Sequence, residues 1–133
     1  MYCSSEQKQY SRTKGVSMAT IVLIDDNVQI HDLAARFLRN HTLYAAATLA
    51  KAQLVLDQVV YDLVICDGTV ERDGDGAALG KRLQDEGSNV IVYSTHPYEG
   101  MYSVYKSGNL VLLRGHVERK LADPSVRGYF DFK

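Results

Sequence analysis

Four apolar runs in this sequence each end in polar residues able to do chemistry. Ile21-Val22-Leu23-Ile24 is followed by Asp25-Asp26, and Leu63-Val64-Ile65-Cys66 by Asp67-Gly68-Thr69. Val90-Ile91-Val92-Tyr93 is followed by Ser94-Thr95, and Leu110-Val111-Leu112-Leu113 by Arg114. If these runs are neighbouring strands of one parallel sheet, three carboxylates, a hydroxyl and a guanidinium converge on one edge. Carboxylates crowded together must take up protons or bind a cation. Oxygen ligands alone suit a hard ion, and Mg²⁺ with several retained waters fits a shallow, open site. A carboxylate beside such an ion can attack a phosphoryl group to give an aspartyl-phosphate. Ser94 and Arg114 then stand ready to receive the charged product.

The elements that would position these groups follow from hydrophobic period. The β-branched runs read as strands buried on both faces. Between them, Ile30, Leu33, Ala34, Phe37 and Leu38 recur at helical spacing after a capping Asn27. Leu49, Ala52, Leu56 and Val59 form a second helical stripe, and a third helix is predicted around Ala77 to Glu86. Thr42 to Ala47 is a short, weaker strand. Tyr98 to Ser107 is predicted helical from the spacing of Tyr98, Tyr102 and Tyr105, Leu110 to Leu113 is predicted as strand five, and a short helix is expected from about His116 to Ala122, before Pro124. Alternating strands and helices argue an α/β fold with a five-stranded parallel sheet wrapped on both faces. In such sheets the working site lies at the carboxyl ends of the strands, where strand order reverses.

Composition limits the rest. A chain of 133 residues has room for one domain; residues 1–17 are expected to be a disordered leader or an added extension, and residues 18–133 a single domain with a short C-terminal tail. With 15 basic and 16 acidic residues the formal charge is -1, so a basic surface built for direct nucleic-acid binding is not expected. No apolar run approaches the roughly 20 residues that span a bilayer, and no secretory signal is evident, so a cytoplasmic location is expected. Cys3, in a polar segment, and Cys66, in an apolar run, do not read as a disulfide framework.

The ordered set IVLIDDN, DLVICDG and VIVYST resembles the receiver domain of two-component response regulators, over residues 20 to about 122. The resemblance implies a doubly wound, flavodoxin-like sheet in the order 2-1-3-4-5. It implies that Asp67 is the phosphoacceptor and Ser94 the switch hydroxyl. Asp26 and Asp67 would hold Mg²⁺ directly, Asp25 would help through water, and the Thr69 carbonyl would be a further ligand. A sensor histidine kinase or phosphotransfer protein would be the donor, a protein would be the downstream partner, and a homodimer is compatible with the family. The family's strand-five lysine is matched to Arg114, which requires a one-residue gap after Gly108; without the gap Gly115 stands there. Val111 then occupies the place of the family's aromatic switch, and the proline after the phosphoacceptor is replaced by Glu71-Arg72-Asp73-Gly74-Asp75-Gly76.

These readings compete with simpler ones. Asp-Asp after a strand is by itself a helix N-terminal pair, and Asp67-Gly68 by itself a turn. CDGT lacks the first aspartate of the haloacid-dehalogenase-like motif, since Ile65 stands there. The segment from Glu71 to Arg82 fails as an EF-hand because Arg82 replaces the bidentate glutamate. The acidic loop is instead expected to raise negative potential beside the metal site. The tail Tyr129-Phe130-Asp131-Phe132 either folds back or docks on a partner. The favoured expectation is a stand-alone receiver, not a turnover enzyme beyond autophosphatase activity, that accepts phosphate on Asp67 and signals through protein contacts. The alternative is a pseudo-receiver that signals without phosphate.

Overall fold

Three of the apolar runs form strands with no exposed residue. The computed structural model describes residues 18–132, so the expectation for residues 1–17 lies outside the described residues. β1 (Thr20–Ile24), β3 (Leu63–Asp67) and β4 (Val90–Ser94) are buried along their whole length, as parallel strands covered on both faces must be. β2 (Thr42–Ala46) lies at the sheet margin and is half-buried. α1 (Val28–Phe37) starts where the Asn27 side chain accepts the Gln29 N–H, and α2 (Leu49–Gln58) where Thr48 accepts the Lys51 N–H. α3 (Asp75–Asp85) packs against β3 and β4.

The chain order then departs from the sequence expectation. Residues 98–107, expected to be a helix, hold a loop and strand β5 (Tyr102–Tyr105). Gly100, at φ +79°, breaks the helical path. Tyr102 and Val104 both pack among the residues of one face, while Ser103 is buried between them. The tyrosine spacing fits a helix, but the alternating YSVY run fits a strand equally well, and burial beside β4 decides it. The expected fifth strand, Leu110–Leu113, is instead the first turn of α4 (Leu110–Ala122), capped by Asn109 accepting the Val111 N–H. Leu110, Leu113 and Val117 are buried at helical spacing, whereas Val111 and Leu112 are 48% and 44% exposed. A helix satisfies this run because only one side of it meets the sheet.

The sheet is entirely parallel, with six strands in the order β2-β1-β3-β4-β5-β6. The expected order is extended by β6 (Gly128–Phe130), so the aromatic tail folds back onto the domain. Phe130 stacks on Tyr102 with ring centroids 4.4 Å apart. The turn into β6 is tied to Lys120, whose buried Nζ donates to the carbonyls of Pro124 (2.6 Å) and Val126 (2.8 Å). Burial pushes this ammonium down to about 8, and Arg127 nearby acts in the same direction.

Strand alternation divides the core in two. Ile21, Leu23, Ile65 and Tyr93 pack with α1 and α4, while Val22, Ile24, Cys66 and Val92 pack with α2 and α3. Met101 and Tyr98 belong to the second cluster, so the β4–β5 connection crosses on the α3 side. It takes only residues 95–101, where a parallel crossover ordinarily needs about a dozen or more. Extended chain at about 3.3 Å per residue can still retrace a short strand. No helix among the described residues is long and apolar enough to cross a membrane.

The burial of α4 gives a direct test. Leu113→Ala should cost about 3 kcal/mol of unfolding free energy, and Leu112→Ala less than about 0.5 kcal/mol. Urea denaturation of both variants checks this; equal costs would contradict the helical assignment.

Candidate functional site

Asp25, Asp26 and Asp67 meet at the carboxyl edge of β1 and β3. One carboxylate oxygen from each lies within 4.8 Å of the others. Asp25 is fully buried, Asp67 is 8% exposed, and Asp26 faces solvent. Asp25 is held from several sides: its Oδ1 accepts the Asn27 N–H at 2.8 Å, and its own N–H donates to the Ala46 carbonyl at 3.0 Å. Its carbonyl accepts His31 Nε2 at 2.6 Å, which fixes that nitrogen as the protonated one. Asp67 Oδ1 accepts the Thr69 N–H at 3.3 Å.

The cation of the site is Lys106, the residue directly after β5. Its Nζ lies 2.7 Å from Asp25 Oδ2 and 3.1 Å from Asp67 Oδ2. The Lys106 N–H donates to the Ser94 carbonyl at 2.8 Å, and the Gly108 N–H donates to the Tyr93 hydroxyl at 3.1 Å. These bonds fix the chain on either side of the ammonium. Arg114 is therefore not at the edge: it sits in α4, with its guanidinium 6.0 Å from the Phe37 ring. Its displacement follows from the shift of β5, because the strand ends at Tyr105 and not at Leu113. The residue three before Lys106 is Ser103, and Ser107 follows it in a trans peptide. The signal for Lys106 was present in the sequence as an alternating YSVY run closed by Lys106-Ser107-Gly108.

Ser94 is buried at the end of β4, and its Oγ accepts the His96 N–H at 3.2 Å. Gly68 lies under it: a Cβ there would stand 2.5 Å from Ser94 Oγ and 2.9 Å from the Tyr98 hydroxyl. Gly76 permits the first turn of α3 to approach β3, since a Cβ there would be 1.8 Å from the Asp67 carbonyl oxygen. The acidic loop is braced by its own carboxylates. Asp75 accepts the N–H groups of Val70 (2.8 Å), Glu71 (3.1 Å) and Arg72 (2.7 Å), and Glu71 accepts the Leu49 N–H at 2.7 Å. Burial works against the Asp75 charge, but these backbone donors hold its pKa below the usual range. Asp75 and Glu71 thus accept backbone N–H groups of their own loop and of the start of α2. Thr69, exposed at the loop's start, accepts the Gly74 N–H on its Oγ1 at 3.1 Å.

Three carboxylates against one ammonium leave a surplus of negative charge at the edge. Asp67 carries the strain of it: burial and then the Asp25 charge raise its pKa, while Lys106 and the Thr69 N–H oppose the rise. Burial alone would lower the Lys106 pKa, but Asp25 and Asp67 together raise it. An all-oxygen cluster with surplus negative charge and one solvent-facing member fits a small divalent cation that keeps part of its water shell.

The charge balance predicts variants of opposite sign. Asp67→Asn should raise the thermal midpoint at pH 7, because it removes the less favourably placed charge and leaves Lys106 paired with Asp25. The folded-state pKa of Asp67 is raised, so ionising it costs stability as pH rises from 3.8 through that value. The gain from Asp67→Asn should accordingly vanish as pH falls to about 4. Lys106→Met should cost about 3 kcal/mol by leaving two buried carboxylates unpaired. Melting curves from pH 4 to 7, without added divalent ions, check both; a lower midpoint for Asp67→Asn at pH 7 would contradict the balance.

No family model matches the sequence. No curated protein matches it either. Solved structures do resemble it. A LuxR-family two-component response regulator from Aurantimonas sp. SI85-9A1 aligns with a TM-score of 0.67 and 22% identity, over 85% of this chain and 89% of that one. A CheY-like response regulator receiver domain protein from Methanospirillum hungatei JF-1 aligns with a TM-score of 0.68 and 18% identity, over 81% and 97%. The structure of histidine kinase ThkA in complex with response regulator TrrA contains a chain that aligns with a TM-score of 0.60 and 22% identity, over 75% and 96%. With its parallel sheet, its helices on both faces and its acidic edge, the chain has the fold of a response-regulator receiver domain.

Proposed function

We propose that this chain is a signalling receiver that accepts a phosphoryl group on Asp67. The single observation that carries the reading is the Lys106 bridge: one ammonium joined to both Asp25 and Asp67 at the strand edge. Asp25, Asp26 and Asp67 would hold Mg²⁺, with the Thr69 carbonyl as a further ligand, and the ion would offset negative charge on the transferring oxygens. Asp67 attacks phosphorus through a carboxylate oxygen, the bond from phosphorus to the donor breaks (P–N for a phosphohistidine, P–O for acetyl phosphate), and the donor leaves with that bond's electron pair. Burial beside Asp25 keeps the carboxylate poorly solvated, which favours exchanging the pair with Lys106 for a covalent bond to phosphorus. The new group brings three acceptor oxygens. Lys106 can follow it, and the Ser94 hydroxyl can donate to it. Arg114 has no part in these steps.

The solved complex of ThkA with TrrA supports a histidine kinase as the donor for this chain too. Output would pass through protein contacts in the cytoplasm, with neither direct nucleic-acid binding nor membrane insertion. A homodimer would need a surface other than a bare β5 edge, since β6 pairs with β5.

Incubation with acetyl phosphate and Mg²⁺ should add one phosphoryl mass to the intact protein. The adduct should survive acid and be lost in hydroxylamine. Asp67→Asn and removal of Mg²⁺ by chelation should abolish it, Lys106→Ala should reduce it more than about tenfold, and Arg114→Ala should leave it unchanged. Calorimetry should show Mg²⁺ binding weakened more by Asp26→Asn or Asp67→Asn than by Asp25→Asn. A wild-type protein that binds Mg²⁺ yet gains no phosphoryl mass would instead support an interaction module that signals without phosphate.

A further inference from the structure

The hydroxyl of Tyr98 stands beside Ser94 above the residue that follows Asp67. The absent Cβ of Gly68 marks the place: the Tyr98 hydroxyl lies 2.9 Å from that point, and Ser94 Oγ lies 2.5 Å from it. Tyr98 belongs to the short β4–β5 connection and not to any strand end. Its main chain is clamped. The Tyr98 N–H donates to Ser103 Oγ at 3.0 Å, Ser103 Oγ–H donates back to the Tyr98 carbonyl at 3.3 Å, and the Met101 N–H donates to the same carbonyl at 3.2 Å. Ser103 is fully buried on β5, so the clamp is set in the sheet. The Tyr98 ring is half-buried and packs with the α2 and α3 core.

Neither hydroxyl proton at this spot is committed. Ser94 Oγ accepts from the His96 N–H, which leaves its own proton free, and the Tyr98 hydroxyl has no hydrogen-bond partner among the described residues. A phenol held by a fixed loop beside a buried serine is a donor without an acceptor. A phosphoryl group on Asp67 would supply acceptors in quantity.

Resting on the phosphoacceptor reading of Asp67, we infer that Tyr98 is a binding residue of the same pocket, its hydroxyl donating to a phosphoryl oxygen beside Ser94. The short crossover has a purpose in this arrangement. By omitting a helix between β4 and β5, it brings a side chain from the loop over Gly68. Gly68 is then required by two hydroxyls and not by its own backbone angles, since it is absent from the positive-φ residues.

The test is titration of the full chain with beryllofluoride at saturating Mg²⁺, in wild type and Tyr98→Phe, with the tyrosine Cζ carbons followed by NMR. A hydrogen bond to a charged acceptor predicts an affinity loss of about tenfold in Tyr98→Phe. Mg²⁺ affinity and the thermal midpoint should not change, because the ring and its packing remain. In wild type the Tyr98 Cζ resonance should move on saturation, a signature that a purely packing role would not give. Equal affinity in the two proteins, or an unmoved Tyr98 resonance in a saturated wild type, would overturn the inference while leaving Asp67 as the acceptor. A wild type that binds Mg²⁺ but takes up no beryllofluoride would overturn both.

Discussion

One ammonium holds the carboxyl edge of this sheet together. Lys106 lies between a carboxylate from the end of β1 and another from the end of β3, two strands that are hydrogen-bonded neighbours. Removing it would leave Asp25, with no solvent exposure, against Asp67 with little. Such a pair is expensive to break and gives little stability compared with an apolar one. Its presence is therefore poorly explained by folding alone. A charge arrangement that costs stability and concentrates at the end of a sheet, where α/β folds place their sites, is better explained by chemistry.

The strand before Lys106 brings it to the edge, and the Gly108 N–H bond to the Tyr93 hydroxyl fixes the chain after it. β5 is short and reaches β4 through a connection without a helix, so its register is set by Ser94 and Tyr105 meeting at the working edge. The Lys106 N–H bond to the Ser94 carbonyl then places the cation and the hydroxyl on consecutive strands as one unit. β6 completes the far side. It covers the β5 edge, which would otherwise present open hydrogen-bonding groups. The buried Lys120 satisfies the carbonyls of the turn that delivers it.

Asp25, Asp26, Asp67 and Ser94 were legible in the sequence because each follows a short apolar run rich in β-branched residues, which favours a buried strand. β1, β3 and β4 carried that signal fully. The C-terminal third is ambiguous in sequence for a physical reason. Leu110-Val111-Leu112-Leu113 is continuous and apolar, yet half of it is exposed on a helix; YSVY is only four residues long and overlaps a helical tyrosine spacing. Short runs leave strand and helix undecided by period alone, and tertiary burial settles them. That ambiguity moved the strand, and with it the cation, from Lys106 to Arg114. The Asp75 contacts were equally hidden, since sequence does not show which carboxylates of an acidic loop accept backbone amides.

The most direct measurement is a crystal structure of the protein with Mg²⁺ and beryllofluoride. Beryllium should be bonded to an Asp67 carboxylate oxygen, with a metal held by Asp26 and Asp67, and Lys106 Nζ moved from Asp67 onto a fluoride while Arg114 stays against Phe37. A Mg²⁺-loaded structure in which Asp67 carries no beryllofluoride and Lys106 still bridges Asp25 and Asp67 would contradict this expectation.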